Sequence, residues 1–158
     1  MSVVAWDGYT VAADRQMTNG NRVGIARKIW RLDDGTVIAG TGGLAQTIVL
    51  LRWYIAGHDA AGWPERQQLA DDWSRLIVFP PDGEPFMYEQ ECCQIPVQAA
   101  FEAWGSGGEL AVGAMSFGAT ARQAVEIACR FDATCGNGCD AFDIRPRSSR
   151  VYLPEPET

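Results

Sequence analysis

Histidine and lysine are almost missing from this 158-residue chain, which has one of each, His58 and Lys28, against twelve arginines. A Ser-His-Asp or Cys-His device needs a histidine beside its nucleophile. His58 stands in a polar stretch between Gly57 and Asp59, which argues against any histidine-dependent triad. The five cysteines, Cys92, Cys93, Cys129, Cys135 and Cys139, contain no CxxC pair, so they read as structural thiols rather than zinc ligands. No Lys/Arg cluster is present and the net charge is −7, which leaves no positive footprint for nucleic acid. Long apolar runs are missing too: Gln46, Thr47 and Arg52 interrupt the richest stretch, Leu44 to Ala56, so no membrane span is expected. The N-terminus has no basic segment ahead of an apolar one. The expectation is a cytoplasmic protein without a signal peptide, its thiols kept reduced.

What the chain does have is enough apolar material for one domain. A chain of this size buries roughly two-thirds of its unfolded surface and needs no metal, cofactor or disulfide to fold. A single domain over residues 1–153 is expected, with a solvated acidic tail at 154–158.

Strand and helix signals alternate in blocks. Val3 to Trp6 and Tyr9 to Asp14 read as a hairpin with Asp7-Gly8 as a two-residue turn, which places Trp6 opposite Tyr9 and Ser2 opposite Ala13. Asn19-Gly20-Asn21 reads as a loop, and Ala26 to Leu32 with Thr36 to Gly40 as a second hairpin. Leu44 to Ala56 is apolar on nearly every face, the pattern of a helix packed between layers. Pro64 to Asp72 is polar, a short exposed helix or loop. Arg75 to Phe79 and Phe86 to Glu89 form a third hairpin, Glu91 to Gln98 is irregular, and Ala99 to Trp104 is a strand. A helix from Glu109 to Phe117 stops at Gly118, and a second begins at a Thr120/Gln123 capping box and ends near Asp132. Cys139 to Ile144 and Ser149 to Leu153 are closing strands. This order predicts an α+β domain with two sheets sandwiched between helical layers.

Three short segments carry candidate chemistry. Gly40-Thr41-Gly42-Gly43-Leu44-Ala45 superficially matches a dinucleotide fingerprint, but no strand ending in an acidic residue follows its helix. What remains is a small-residue turn whose N–H groups at a helix start can face an oxyanion. Gly105-Ser106-Gly107-Gly108 is a strand-to-helix turn but not GxSxG, since position 104 is Trp, so Ser106 reads as a turn or site-lining hydroxyl. Ser2 follows Met1, and removal of Met1 exposes an α-amine able to take a proton from its own residue's hydroxyl without histidine. Lys28, in a chain that otherwise uses Arg, and Asp14, placed beside the terminus by the first hairpin, are the charged candidates around it.

In these motifs, Ser2-Val3-Val4-Ala5-Trp6-Asp7-Gly8, Val11 to Thr18, Lys28-Ile29-Trp30-Arg31-Leu32, Ile38 to Gly43, Gly105 to Gly108 and Asp132-Ala133-Thr134-Cys135-Gly136, the sequence resembles the proteasome β-subunit family of N-terminal-nucleophile hydrolases, including the bacterial proteasome-like peptidases. The resemblance implies a four-layer αββα sandwich. It implies Ser2 as nucleophile with its amine as base, Lys28 as the cation that activates it, and Asp14 as the orienting partner of Lys28. It also implies the Gly43 N–H as oxyanion donor, Ser106 and Asp132 as the groups steadying the amine and any water, and Cys135 as a further site residue. Ser2 stands where the family usually has Thr, and Cys135 where it has a serine. The function implied is cleavage of peptide or amide bonds, without cofactor, by a ring-type homo-oligomer with a possible ATPase unfoldase partner. The alternative is a catalytically inactive scaffold or assembly subunit, which Val3 and Cys135 favour.

Overall fold

Strands β1 (Val4–Trp6) and β2 (Thr10–Asp14) are buried along their whole length, and alternation sends their side chains into two different cores. The computed structural model of the chain describes residues 2–64 and 74–145. The expected strand at Ser149 to Leu153, the tail, and all but the first residue of Pro64 to Asp72 lie outside these residues.

Val4, Trp6, Val11 and Ala13 meet Ile29, Val37, Ala39, Ile77 and Phe79 across the space between two sheets. Val3, Ala5 and Ala12 point the other way, onto helices α2 (Gly108–Ser116) and α3 (Ala121–Phe131), through Ala111, Met115, Ala124, Val125 and Ala128. The first sheet has the order β10-β1-β2-β11, with β10 at Glu102–Trp104 and β11 at Cys139–Asp143. The second, β5-β6-β7-β8-β9, consists of Ile29–Arg31, Val37–Thr41, Arg75–Phe79, Phe86–Tyr88 and Ile95–Pro96. Its outer face, with Ile38, Leu76 and Val78, packs against Leu50, Leu51 and Trp53 of α1 (Leu44–Ile55). All strand pairs in both sheets are antiparallel.

The structure corrects four expectations. The first hairpin pairs Trp6 with Val11 and Val4 with Ala13, two residues displaced from a two-residue turn. The cause is the Asp7 carboxylate, which accepts the N–H groups of both Tyr9 and Thr10 and so stabilises a longer loop. A shift of two keeps every side chain on its expected face. Asn19-Gly20-Asn21 is no plain loop, because β3 (Gln16–Asn19) and β4 (Arg22–Ile25) form an additional two-stranded hairpin closed by Gly20 and Asn21. The stretch Glu91 to Gln98 contains β9, paired with β8. Helix α1 is an outer helix, with Val49 and Ile55 exposed, not one enclosed between layers. The capping box of α3 forms as read, with Thr120 and Gln123 each bonding the other's backbone.

Candidate active site

Asp14, at the end of β2, is fully buried and its carboxylate is saturated. Oδ1 accepts from the Val3 N–H at 2.9 Å and Lys28 Nζ at 2.6 Å; Oδ2 accepts from the N–H groups of Gln16 at 3.1 Å and Gly136 at 3.0 Å. Four donors fill the acceptor sites of a carboxylate, which is what makes a buried charge tolerable. Asp14 therefore ties the lysine just before β5 to the residue that follows Ser2. Observed register places it opposite Val3, whose C=O also accepts the Asp14 N–H.

Ser2 is 2% exposed, and its hydroxyl has no hydrogen-bond partner. Its backbone is held firmly. The Ser2 nitrogen donates to Ser106 Oγ at 3.2 Å, and its C=O accepts from the Gly107 N–H at 3.2 Å. Gly105, at φ 93°, makes this approach possible, since a Cβ there would lie 2.1 Å from the Ser2 carbonyl oxygen. No L-residue fits that position without displacing Ser2.

Beyond Ser106 the structure reveals a residue that sequence reasoning missed. Ser106 Oγ lies 2.9 Å from Thr134 Oγ1, and Thr134 Oγ1 donates to Asp132 Oδ1 at 2.6 Å. Thr134 spends its hydroxyl proton on Asp132, so the single Ser106 proton is shared between two acceptors, Thr134 Oγ1 at 2.9 Å and the Ser2 C=O at 3.2 Å, while Ser106 Oγ accepts from the Ser2 nitrogen. A line of hydrogen-bonded groups thus runs from Ser2 through Ser106 and Thr134 to Asp132. The hydroxyl and N–H of Thr134 hold the Asp132 carboxyl below its ordinary value. Cys135, the expected member of this group, lies close by but contributes weakly, with Sγ 3.6 Å from Asp132 and 3.9 Å from Ser106. Burial pushes its thiol up, and likewise those of Cys129, to about 12, and Cys139, to about 11. All three are therefore neutral and poor nucleophiles near pH 7. The available signal was the hydroxyl one residue before Cys135. Thr134→Val is expected to slow amide hydrolysis about fivefold, the worth of one hydrogen bond of about 1 kcal/mol, with the larger change on the acid limb of the pH–rate profile.

Gly43 is the N-cap of α1, and its N–H is not idle. It donates to Ser74 Oγ at 3.0 Å, and the same hydroxyl donates back to the Gly43 C=O at 3.2 Å. Ser74, 31 residues away in sequence, was not foreseen; its buried hydroxyl fixes the Gly43 peptide at the end of the Gly40–Gly43 turn. Gly40 lets the helix lie close, since a Cβ there would meet Thr47 Cγ2 at 2.0 Å.

Ser2, Lys28, Gly43 and Ser106 all line one cavity of about 670 Å³, together with Thr41 and Arg75. Asp14 lies behind Lys28, and Asp132 and Cys135 behind Ser106. His58 is exposed in the turn after α1, stacked on Tyr54, and is not among the cavity residues. Among the described residues no cluster of His, Cys, Asp or Glu is placed to hold a metal ion, and no helix is long and apolar enough to cross a membrane.

No protein-family model matches the sequence, and no curated protein matches it. Solved structures do match. BPH from Thiobacillus denitrificans has a TM-score of 0.67 at 21% identity, over 90% of this chain and 97% of that one. The same protein in complex with epoxomicin gives 0.67 at 20% identity, over 92% and 100%. A eukaryotic HslV from Trypanosoma brucei gives 0.65 at 25% identity, over 90% and 97%. The chain thus has the mixed helix-and-strand fold of HslV and BPH, and with it the resemblance to proteasome β-subunit-like N-terminal-nucleophile hydrolases that its motifs carry.

Proposed function

We propose that the chain is a proteasome-like hydrolase that cleaves peptide or amide bonds with Ser2 after removal of Met1. The observation that carries this is the Ser2 hydroxyl itself. It is buried in the cavity without a partner, where an unpaired polar group costs stability and a substrate carbonyl would relieve it.

In this reading the Ser2 α-amine takes the hydroxyl proton as Oγ attacks the amide carbonyl. The tetrahedral oxyanion takes over the Gly43 N–H from Ser74, at the start of α1, where the helix dipole favours negative charge. The amine then passes its proton to the departing nitrogen, the C–N bond breaks, and an ester on Ser2 remains for water to hydrolyse. Ser106, Thr134 and Asp132 hold the amine in place; Asp14 holds the Lys28 ammonium beside the nucleophile. The pairing of faces across three cores supports a four-layer αββα sandwich, and we propose that it forms one domain over 1–153. We further propose a cytoplasmic, ring-type homo-oligomer acting on peptide or protein substrates, with an ATPase unfoldase as possible partner.

A catalytically inactive scaffold subunit is the second reading, favoured by Cys135 in place of a hydroxyl. Thr134 weakens it by supplying that hydroxyl from the neighbouring position. The test is Ser2→Ala. Loss of both amide hydrolysis and labelling by epoxomicin or another electrophile that attacks serine supports the hydrolase; unchanged activity and labelling overturn it.

A further inference from the structure

The mechanism leaves one feature of the cavity unused. Thr41, the last residue of β6, lines the cavity, is 3% exposed, and its hydroxyl has no hydrogen-bond partner. A buried orphan hydroxyl is costly and is rarely retained without a use. Its direct cross-strand partner on β7 is Arg75, and opposed residues of an antiparallel pair share a face, with Cβ atoms about 4.5–5.5 Å apart. Arg75 also lines the cavity. Its Nε donates to Glu89 Oε1, which fixes the guanidinium, and no described residue accepts from its two terminal nitrogens.

The charge of the walls points the same way. Lys28 and Arg75 line the cavity, as do Gly43, Leu44 and Ala45 at the N-terminal end of α1, and among the described residues no Asp or Glu does. This donor-rich wall occurs in a chain of net charge −7. Asp14 and Glu89 balance the two cations from outside the cavity lining, so the wall offers directed donors more than net charge.

We propose that this cavity takes a substrate residue with a carboxylate side chain, glutamate or aspartate, on the acyl side of the bond cleaved at Ser2, with Thr41 Oγ1 and the free edge of Arg75 as its donors. A guanidinium edge matches a carboxylate in geometry, and the threonine hydroxyl supplies a further donor. The identification of the bound residue as the acyl-side residue rests on the hydrolase reading; the carboxylate site stands on Thr41 and Arg75.

The full chain carrying Ser2→Ala, which prevents turnover, is titrated with acetyl-Ala-Ala-Glu-amide, its Gln and Leu counterparts, and acetyl-Ala-Ala-Leu with a free terminal carboxylate. The Glu amide is expected to bind at least tenfold more tightly than the Leu amide and several-fold more tightly than the Gln amide. Thr41→Val and Arg75→Gln are each expected to reduce that preference to less than threefold. Thr41→Val should melt at or above the parent temperature, since it removes an unpaired hydroxyl at constant shape. Equal or tighter binding of the Leu amide, binding of the free-acid peptide in preference to the Glu amide, no binding of any peptide, or a lowered melting temperature for Thr41→Val overturns the proposal. Selective Glu binding by a chain whose Ser2 is never labelled would uphold the site while sinking the hydrolase.

Discussion

Asp14→Ala is expected to destabilise the protein by about 3–5 kcal/mol, because it strands a buried lysine and three backbone donors at once. For a chain of this size that corresponds to a fall in melting temperature of roughly 6–20 °C. The loss is local in origin but wide in reach. Asp14 accepts from Val3 just before β1, from Lys28 before β5, from Gln16 in β3 and from Gly136 before β11, so one carboxylate joins the two large sheets and the small hairpin around the N-terminus. Asp14→Asn separates shape from charge: it retains a carbonyl acceptor but aims an amide group at backbone N–H donors and leaves Lys28 without its carboxylate. Thermal unfolding of the three proteins should rank parent above Asn above Ala. A melting temperature for Asp14→Ala within 2 °C of the parent would mean the network contributes little.

Lys28→Arg is expected to cut amide hydrolysis by about 10²–10⁴-fold, the range for losing a positioned catalytic charge, although the formal charge is conserved. Lys28 is 7% exposed and its ammonium reaches Asp14 Oδ1 at 2.6 Å. The planar guanidinium is wider than an ammonium, so in this confined space it meets Asp14 only by pushing toward the cavity where Ser2 lies. His58→Ala, an exposed site in the turn after α1, provides the control and should leave the rate unchanged. A rate for Lys28→Arg within threefold of the parent would remove Lys28 from the catalytic group.

Much of this site is written in the sequence because its parts are short and local. Ser2 after Met1, the single lysine, the small-residue turn ending at Gly43, and the Gly105 to Gly108 turn each announce themselves within a few residues. The register of the first hairpin was legible only in its parity, because the side-chain bonds of Asp7 lengthen the loop without changing which face each residue occupies. Hairpin β3–β4 was hidden because Gln16-Met17-Thr18-Asn19 and Arg22-Val23-Gly24-Ile25 are short and lack strict apolar alternation. Ser74 was beyond reach for a different reason. Its importance lies in a contact with a turn 31 residues away, and nothing local marks it. Thr134 stands between these cases: its hydroxyl is visible in the sequence, but only geometry shows it, not Cys135, completing the line to Asp132.

The proposed function makes Ser2 an N-terminal nucleophile, and the intact mass of the purified protein before and after treatment with an electrophile that attacks serine tests that directly. The expected result is a chain lacking Met1 that gains one adduct, located by fragmentation at Ser2, and no adduct on Ser2→Ala. A chain that keeps Met1, or one whose adduct lies elsewhere and persists in Ser2→Ala, would contradict it.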